Sequence, residues 1–145
     1  MINSRIILVS LIAISVSACS SSTPGCDDGK TKKLVLEITD TTLKSSFQNF
    51  GEMVQKMATS MGLQFDNNYE HLTLSLDDIR TKDINEKTGK IICTANLIST
   101  SGNESESVEI AYSSELANNG EKHYVQVGGF SNDKQGKLLG ALAHK

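Results

Sequence analysis

The chain has 145 residues, 38% apolar and 21% charged, with 14 Lys and Arg against 17 Asp and Glu and a formal net charge of −3. That length makes one domain, and the balance excludes both a disordered chain and a multi-span membrane protein. A pI near 5.6, no Trp and only 5% aromatics argue against nucleic acid as a partner, which calls for a basic face with stacking rings.

Residues Met1–Ala18 begin with a positive charge at Arg5, continue as the apolar run Ile6–Ile14 and end on small residues. This is the three-part pattern of a secretory signal peptide, and its apolar core falls short of the roughly 20 residues that a permanent span requires. The closing Val16-Ser17-Ala18-Cys19 resembles the lipobox of bacterial lipoproteins, an apolar residue and two small ones before an obligatory Cys. The resemblance implies lipidation of the Cys19 thiol, cleavage before it and acylation of the new amino terminus. Two or more acyl chains hold a protein stably at a membrane where one does not. In that family an Asp after the lipidated Cys favours the inner membrane. Ser20 stands there in this chain, so the resemblance implies the cell outer membrane, with the domain facing the periplasm and surface display as the alternative. An ordinary cleaved signal with a chance Cys is the competing reading.

Residues 19–29 read as the lipidated Cys and a polar tether, and 30–145 as a single small domain. From Ser20 to Cys26 the tether reaches at most ~25 Å, which keeps the domain close to the membrane. With Cys19 assigned to the anchor, Cys26 and Cys93 remain in a compartment that oxidises thiols. An even pair there most simply forms one disulfide. Two free thiols are an alternative, and a metal site is a poor one without a C-x-x-C or a nearby His.

From Leu34 to Met61 the spacing is helical. Leu34, Ile38 and Thr42 are followed by Leu43, Phe47, Phe50, Val54, Met57 and Met61 at steps of three or four, with Gly62 placed to close the helix. The segment Leu34–Ile38 also suits a short strand, with Asp40 capping a later helix; one helix or two abutting ones is preferred. The series Phe47, Met53, Met57, Met61 reads as core packing, the alternative being a binding surface built from adaptable Met side chains.

Beyond His71 the period becomes two. Leu72, Leu74 and Leu76 alternate with polar residues; Asn85–Lys90 forms a turn; Ile91–Ser99 is a second strand. A turn at Ser101–Asn103 precedes a strand over Ser107–Leu116. The Asn118-Asn119-Gly120 hairpin signal then precedes Lys122–Phe130. These elements predict an α+β fold, an N-terminal helix packed on a four-stranded antiparallel meander. Ser131–Lys145 reads as a frayed tail or a short packing helix.

Catalytic motifs are missing. There is no H-E-x-x-H, P-loop or G-x-S-x-G, and Ser131–Lys134 matches S-x-x-K only by chance, without its companion motifs. His71 lies beside Glu70 and before Asp77 and Asp78, which permits a metal or acid–base site, but a neutral exposed His at a strand start is the plainer reading. No partner is evident for His123 or His144. The run Asp77–Asp83 mixes charges as a solvated loop does. Within it, Arg80 is a candidate binding residue able to clamp a carboxylate or phosphate, though pairing with Asp77 or Asp83 is the simpler use. No cofactor, metal or small-molecule substrate is expected, and the chain is read as no enzyme.

The remaining chain resembles small exported bacterial domains of unknown activity, with a Cys before a helix, Ile79-Arg80-Thr81 in a loop and Gly-x-x-x-Cys-x-Ala at Gly89–Ala95. This likeness supports pairing Cys26 with Cys93. On the predicted second strand, Cys93 shares a face with Ile91, Ala95 and Leu97 that should point at the helix. The functional expectation is a non-catalytic, membrane-anchored lipoprotein that binds an envelope protein. The alternative is a protective lipoprotein: an immunity protein, a cell-wall hydrolase inhibitor or a factor that excludes incoming plasmids.

Overall fold

The Asp28 carboxylate starts the long helix by accepting from the backbone N–H groups of Lys30 (2.8 Å) and Thr31 (3.4 Å). Helix α1 (Gly29–Ser60, 32 residues) then runs unbroken for about 48 Å. Leu34–Ile38 is therefore helical. Gly62, at φ +74°, ends the helix in a Schellman arrangement, with Gly62 N–H bonded to the Thr59 carbonyl and Leu63 N–H to that of Ala58. The computed structural model describes residues 22–117 and 120–144. The signal segment, Cys19 and the Asn118-Asn119 turn lie outside the described residues.

Downstream come β1 (Gln64–Phe65), a 3-10 turn at Tyr69–His71, β2 (Thr73–Asn85), β3 (Lys90–Ser101), β4 (Glu104–Ala117) and β5 (Lys122–Gly128). Strands β2-β3-β4-β5 form the antiparallel meander expected from the two-residue period. Helix α2 (Asn132–Leu139), a 3-10 turn at Gly140–Leu142 and β6 (Ala143–His144) complete the chain. The tail is a packing element: Leu138, Leu139 and Leu142 are almost wholly buried, each contributing roughly 1.5–3 kcal/mol of apolar transfer energy. Its end is fastened by pairing of β6 with β1 and by Asp66 N–H on the Leu142 carbonyl.

The core lies on one face of the meander. Cys93, Ala95 and Leu97 of β3 and Val108, Ile110 and Tyr112 of β4 point into it, as the alternation predicts. Helix α1 packs on β2, β5 and α2, while α2 and the turn after it cover β3 and β4. Among the described residues, the buried core cluster lies between Cys26 and Leu142.

Three local expectations are corrected. The buried stripe of α1 is Thr31, Val35, Thr39 and Leu43, one residue on from Leu34, Ile38 and Thr42, which are half-buried. At Thr39 a buried threonine is tolerated because its Oγ1 donates to the carbonyls of Val35 (2.9 Å) and Leu36 (3.1 Å), leaving its methyl to pack. Second, Phe47 packs on Phe65 and Tyr69, but Phe50, Met53, Met57 and Met61 are 46–65% exposed, so the methionine series is not core. Third, Asp77–Asp83 is not a loop. It belongs to β2, interrupted by two bulges, one between Asp77 and Arg80 where Asp78 takes φ +48°, and one between Thr81 and Asp83. Each bulge adds one residue and so exchanges the faces of the strand. The first turns Ile79 and Thr81 inward in place of Asp78 and Arg80, and the second restores Ile84 opposite Ile91.

Candidate functional site

The chain's sequence-predicted site residues fall in separate places. Cys26 and Cys93 are joined by a disulfide, with Cα atoms 5.8 Å apart across 67 positions of sequence. The chain leading into it is stitched to the sheet. Tyr112 Oη donates to the Cys26 carbonyl (2.8 Å), Ser114 Oγ to the Pro24 carbonyl (2.7 Å), and Thr81 Oγ1 to Cys26 Sγ (3.3 Å). Part of the segment read as tether is thus fixed against β4. Burial, with the Asp27 carboxylate nearby, pushes the Tyr112 phenol up to about 12. An unfolded chain loses that proton near pH ~10, so the stability held by Tyr112 is intact below pH ~10 and fades as pH rises toward the folded value. We expect urea midpoints to fall across that alkaline window. Tyr112→Phe should show a smaller fall from a lower starting stability, the remainder coming from Tyr69, whose phenol is raised by burial and by Asp40.

Arg80 lies outside the core, where its guanidinium meets Glu109 (2.8 Å) and Asp78 (3.4 Å), not Asp77 or Asp83. Its partners are set by the bulge, which places Asp78 beside it, and by β4 one strand further across the sheet. Cys19 lies outside the described residues.

His71 and His123 each bond to a neighbouring side chain. His71 Nδ1 meets Asp66 Oδ2 at 2.5 Å and its Nε2 meets the Asn68 amide at 3.1 Å, while Glu70 pairs with Lys44 instead. The bond from His71, with the Asn68 backbone N–H, holds the Asp66 carboxyl below the usual carboxylate range. The open cleft beside them, about 660 Å³, also reaches Glu104 and His144. With both His71 ring nitrogens taken, no base faces it from that residue. His123 Nε2 lies 2.8 Å from Ser114 Oγ, but Ser114 is fully buried and gives its proton to the Pro24 carbonyl. That pair fastens the chain instead of activating a nucleophile. Among the described residues no three His, Cys, Asp or Glu side chains are placed to hold a metal.

What the sequence reading underrated is the exposed stripe of α1. Beyond Phe47 only Gly51 and Ala58 of the helix are buried, and Phe50, Met53, Met57 and Met61 follow one another along its open side. Opposite them α2 and the following turn present Gly136, Gly140 and Ala141, which leave the space between the elements unfilled. The result is a groove of about 470 Å³ that continues past Met53 and Val54 into a second hollow of about 240 Å³ beside Phe50 and Leu139. A side-chain carbon added at Gly136, which lines both, would meet nothing within 4 Å. The charged residues on the larger groove are Glu104 and Glu106 of β4. Such a concavity, apolar with a few polar groups at its rim, is of the kind that receives ligands or partner side chains. Comparison with known proteins adds no relative, since no family model, curated protein or solved structure matches the chain.

Proposed function

We propose that this chain is a lipoprotein of the outer membrane, held through lipidated Cys19 with its domain toward the periplasm, and that it acts as a non-catalytic protein-binding module. The observation that carries the binding role is the exposed Phe50–Met61 stripe, because a small domain does not keep four large apolar side chains in water without a use for them. The lipobox residues Val16–Cys19 support the address, and so does the Cys26–Cys93 bridge, since such bonds persist in oxidising compartments. No described helix is long and apolar enough to cross a membrane, which leaves attachment to the lipid anchor in this reading.

The address is tested by Cys19→Ala in a bacterial host fed labelled palmitate. The parent chain should carry label and fractionate with outer membranes, and the variant should do neither. Label and membrane fractionation retained by the variant would overturn the anchor. The binding role is tested by passing envelope extract over the immobilised domain and its Met57→Glu variant. A protein retained by the first and lost from the second is expected. Equal retention by both, or none by either, would refute a role for this stripe.

A further inference from the structure

Resting on that binding-module reading, we infer that the groove between α1 and α2 receives an amphipathic helix of an envelope protein, with apolar side chains at i, i+3 or i+4 and i+7 and a Lys or Arg set against Glu104.

The shape selects a helix. Phe50 to Met61 covers about 17 Å of α1, three turns, and the occupant would lie along it as a third helix beside α2. Gly136, Gly140 and Ala141 form the low wall on which another backbone can approach closely. A strand is disfavoured at the open edge of β4. β4 pairs with β5 only from Ala111 onward, so Glu104–Ile110 has one open side, but α2 already caps it. Lys137 Nζ donates to the Ser107 carbonyl (3.0 Å) and Lys134 Nζ to that of Glu109 (2.6 Å). Lysines placed in this way block addition of a further strand.

The charge selects a basic partner. Glu106 is engaged by Lys137 at 3.9 Å, whereas Glu104 makes no ion pair among the described residues. Among the described residues no lysine or arginine lines the groove. A second copy of the chain would bring the same two carboxylates and repel them, and an acyl chain would leave Glu104 unanswered. An apolar helix with a cation at its flank satisfies both features. Methionine side chains re-pack without strain, so the groove accepts a range of aliphatic anchors and takes its selectivity from shape and charge.

The test uses the oxidised domain from Ser22 onward. Its three methionines, Met53, Met57 and Met61, all line the groove, so methyl-labelled Met gives a spectrum that reports on this site alone. The probes are an 18-residue Leu/Lys peptide with apolar residues on one helical face, a Leu/Glu peptide of the same pattern, and a lysophospholipid below its micelle concentration. The Leu/Lys peptide should shift all three methyl signals, bind at least ~10-fold more tightly than Leu/Glu, and weaken with added salt. Met57→Glu should abolish its binding. Gly136→Leu, which fills the groove from a position with open space and favours helix, should weaken it at least ~10-fold with the fold retained by circular dichroism. Glu104→Gln should cost several-fold and flatten the salt dependence. Four results would overturn the inference: equal binding of the two peptides, tighter binding of the lipid, full binding by Gly136→Leu, or a peptide-free dimer that Met57→Glu dissociates. If the peptides fail while the domain still retains an envelope protein through another face, the partner chemistry falls and the binding-module reading stands.

Discussion

Replacing Cys26 and Cys93 together with alanine should lower the unfolding free energy by about 4 kcal/mol, a large share of what a domain of this size possesses. The value follows from loop closure. The bridge closes 67 positions of sequence, and the entropy withheld from the unfolded chain grows with the logarithm of that length. The consequences for the native state add to it. Cys26 and Cys93 are 4% and 0% exposed, and the bond holds the start of α1 over β3. Without it, the Cys26 carbonyl must be kept on Tyr112, and Pro24 on Ser114, by hydrogen bonds alone. Urea unfolding of the oxidised parent and the double variant measures the difference. The urea m-value should rise in the variant, because an uncrosslinked unfolded chain exposes more surface. A loss below about 1 kcal/mol with unchanged m would mean that the unfolded chain gains little freedom when the link is cut. Double replacement is the informative form, since a single one leaves a thiol able to pair with another molecule.

The meander was legible because a sheet with one covered face imposes alternation, and alternation survives in a single sequence. Ile91, Cys93, Ala95 and Leu97 showed which side of β3 faces inward, and Gly89 and Gly102, with φ of +70° and +57°, mark two of its turns. The helix face was less legible, since Leu34, Val35, Leu36 and Ile38 put apolar groups on several sides. Which side is buried was decided by where the disulfide holds the helix start, and by Thr39, which hides its hydroxyl on its own helix. The bulges of β2 left no pattern, because each reverses the alternation that would have revealed the strand. The groove was half visible. Its methionines stood out at helical spacing, yet whether such a stripe is covered depends on the elements opposite. Gly136 and Gly140, some eighty residues away, give those elements no side chains to cover it with.

The sharpest test of that division of α1 compares two residues fourteen positions apart on the same helix. Leu43 is completely buried among the core side chains, so Leu43→Ala removes transfer energy and leaves a cavity, costing about 3 kcal/mol within the usual 2–5 range. Met57 is 54% exposed on the groove, and Met57→Ala should change stability by no more than about 0.5 kcal/mol. Both are conservative truncations, and alanine favours helix at either site, so propensity does not separate them. Chemical denaturation at two protein concentrations reads the comparison. A Met57 effect matching that of Leu43 would mean that the stripe is covered in the free protein. If its size rose with concentration, the cover would be a second copy of the chain. A near-zero, concentration-independent effect means that the methionines contribute little to folding, and their packing energy is then still available to stabilise a bound partner.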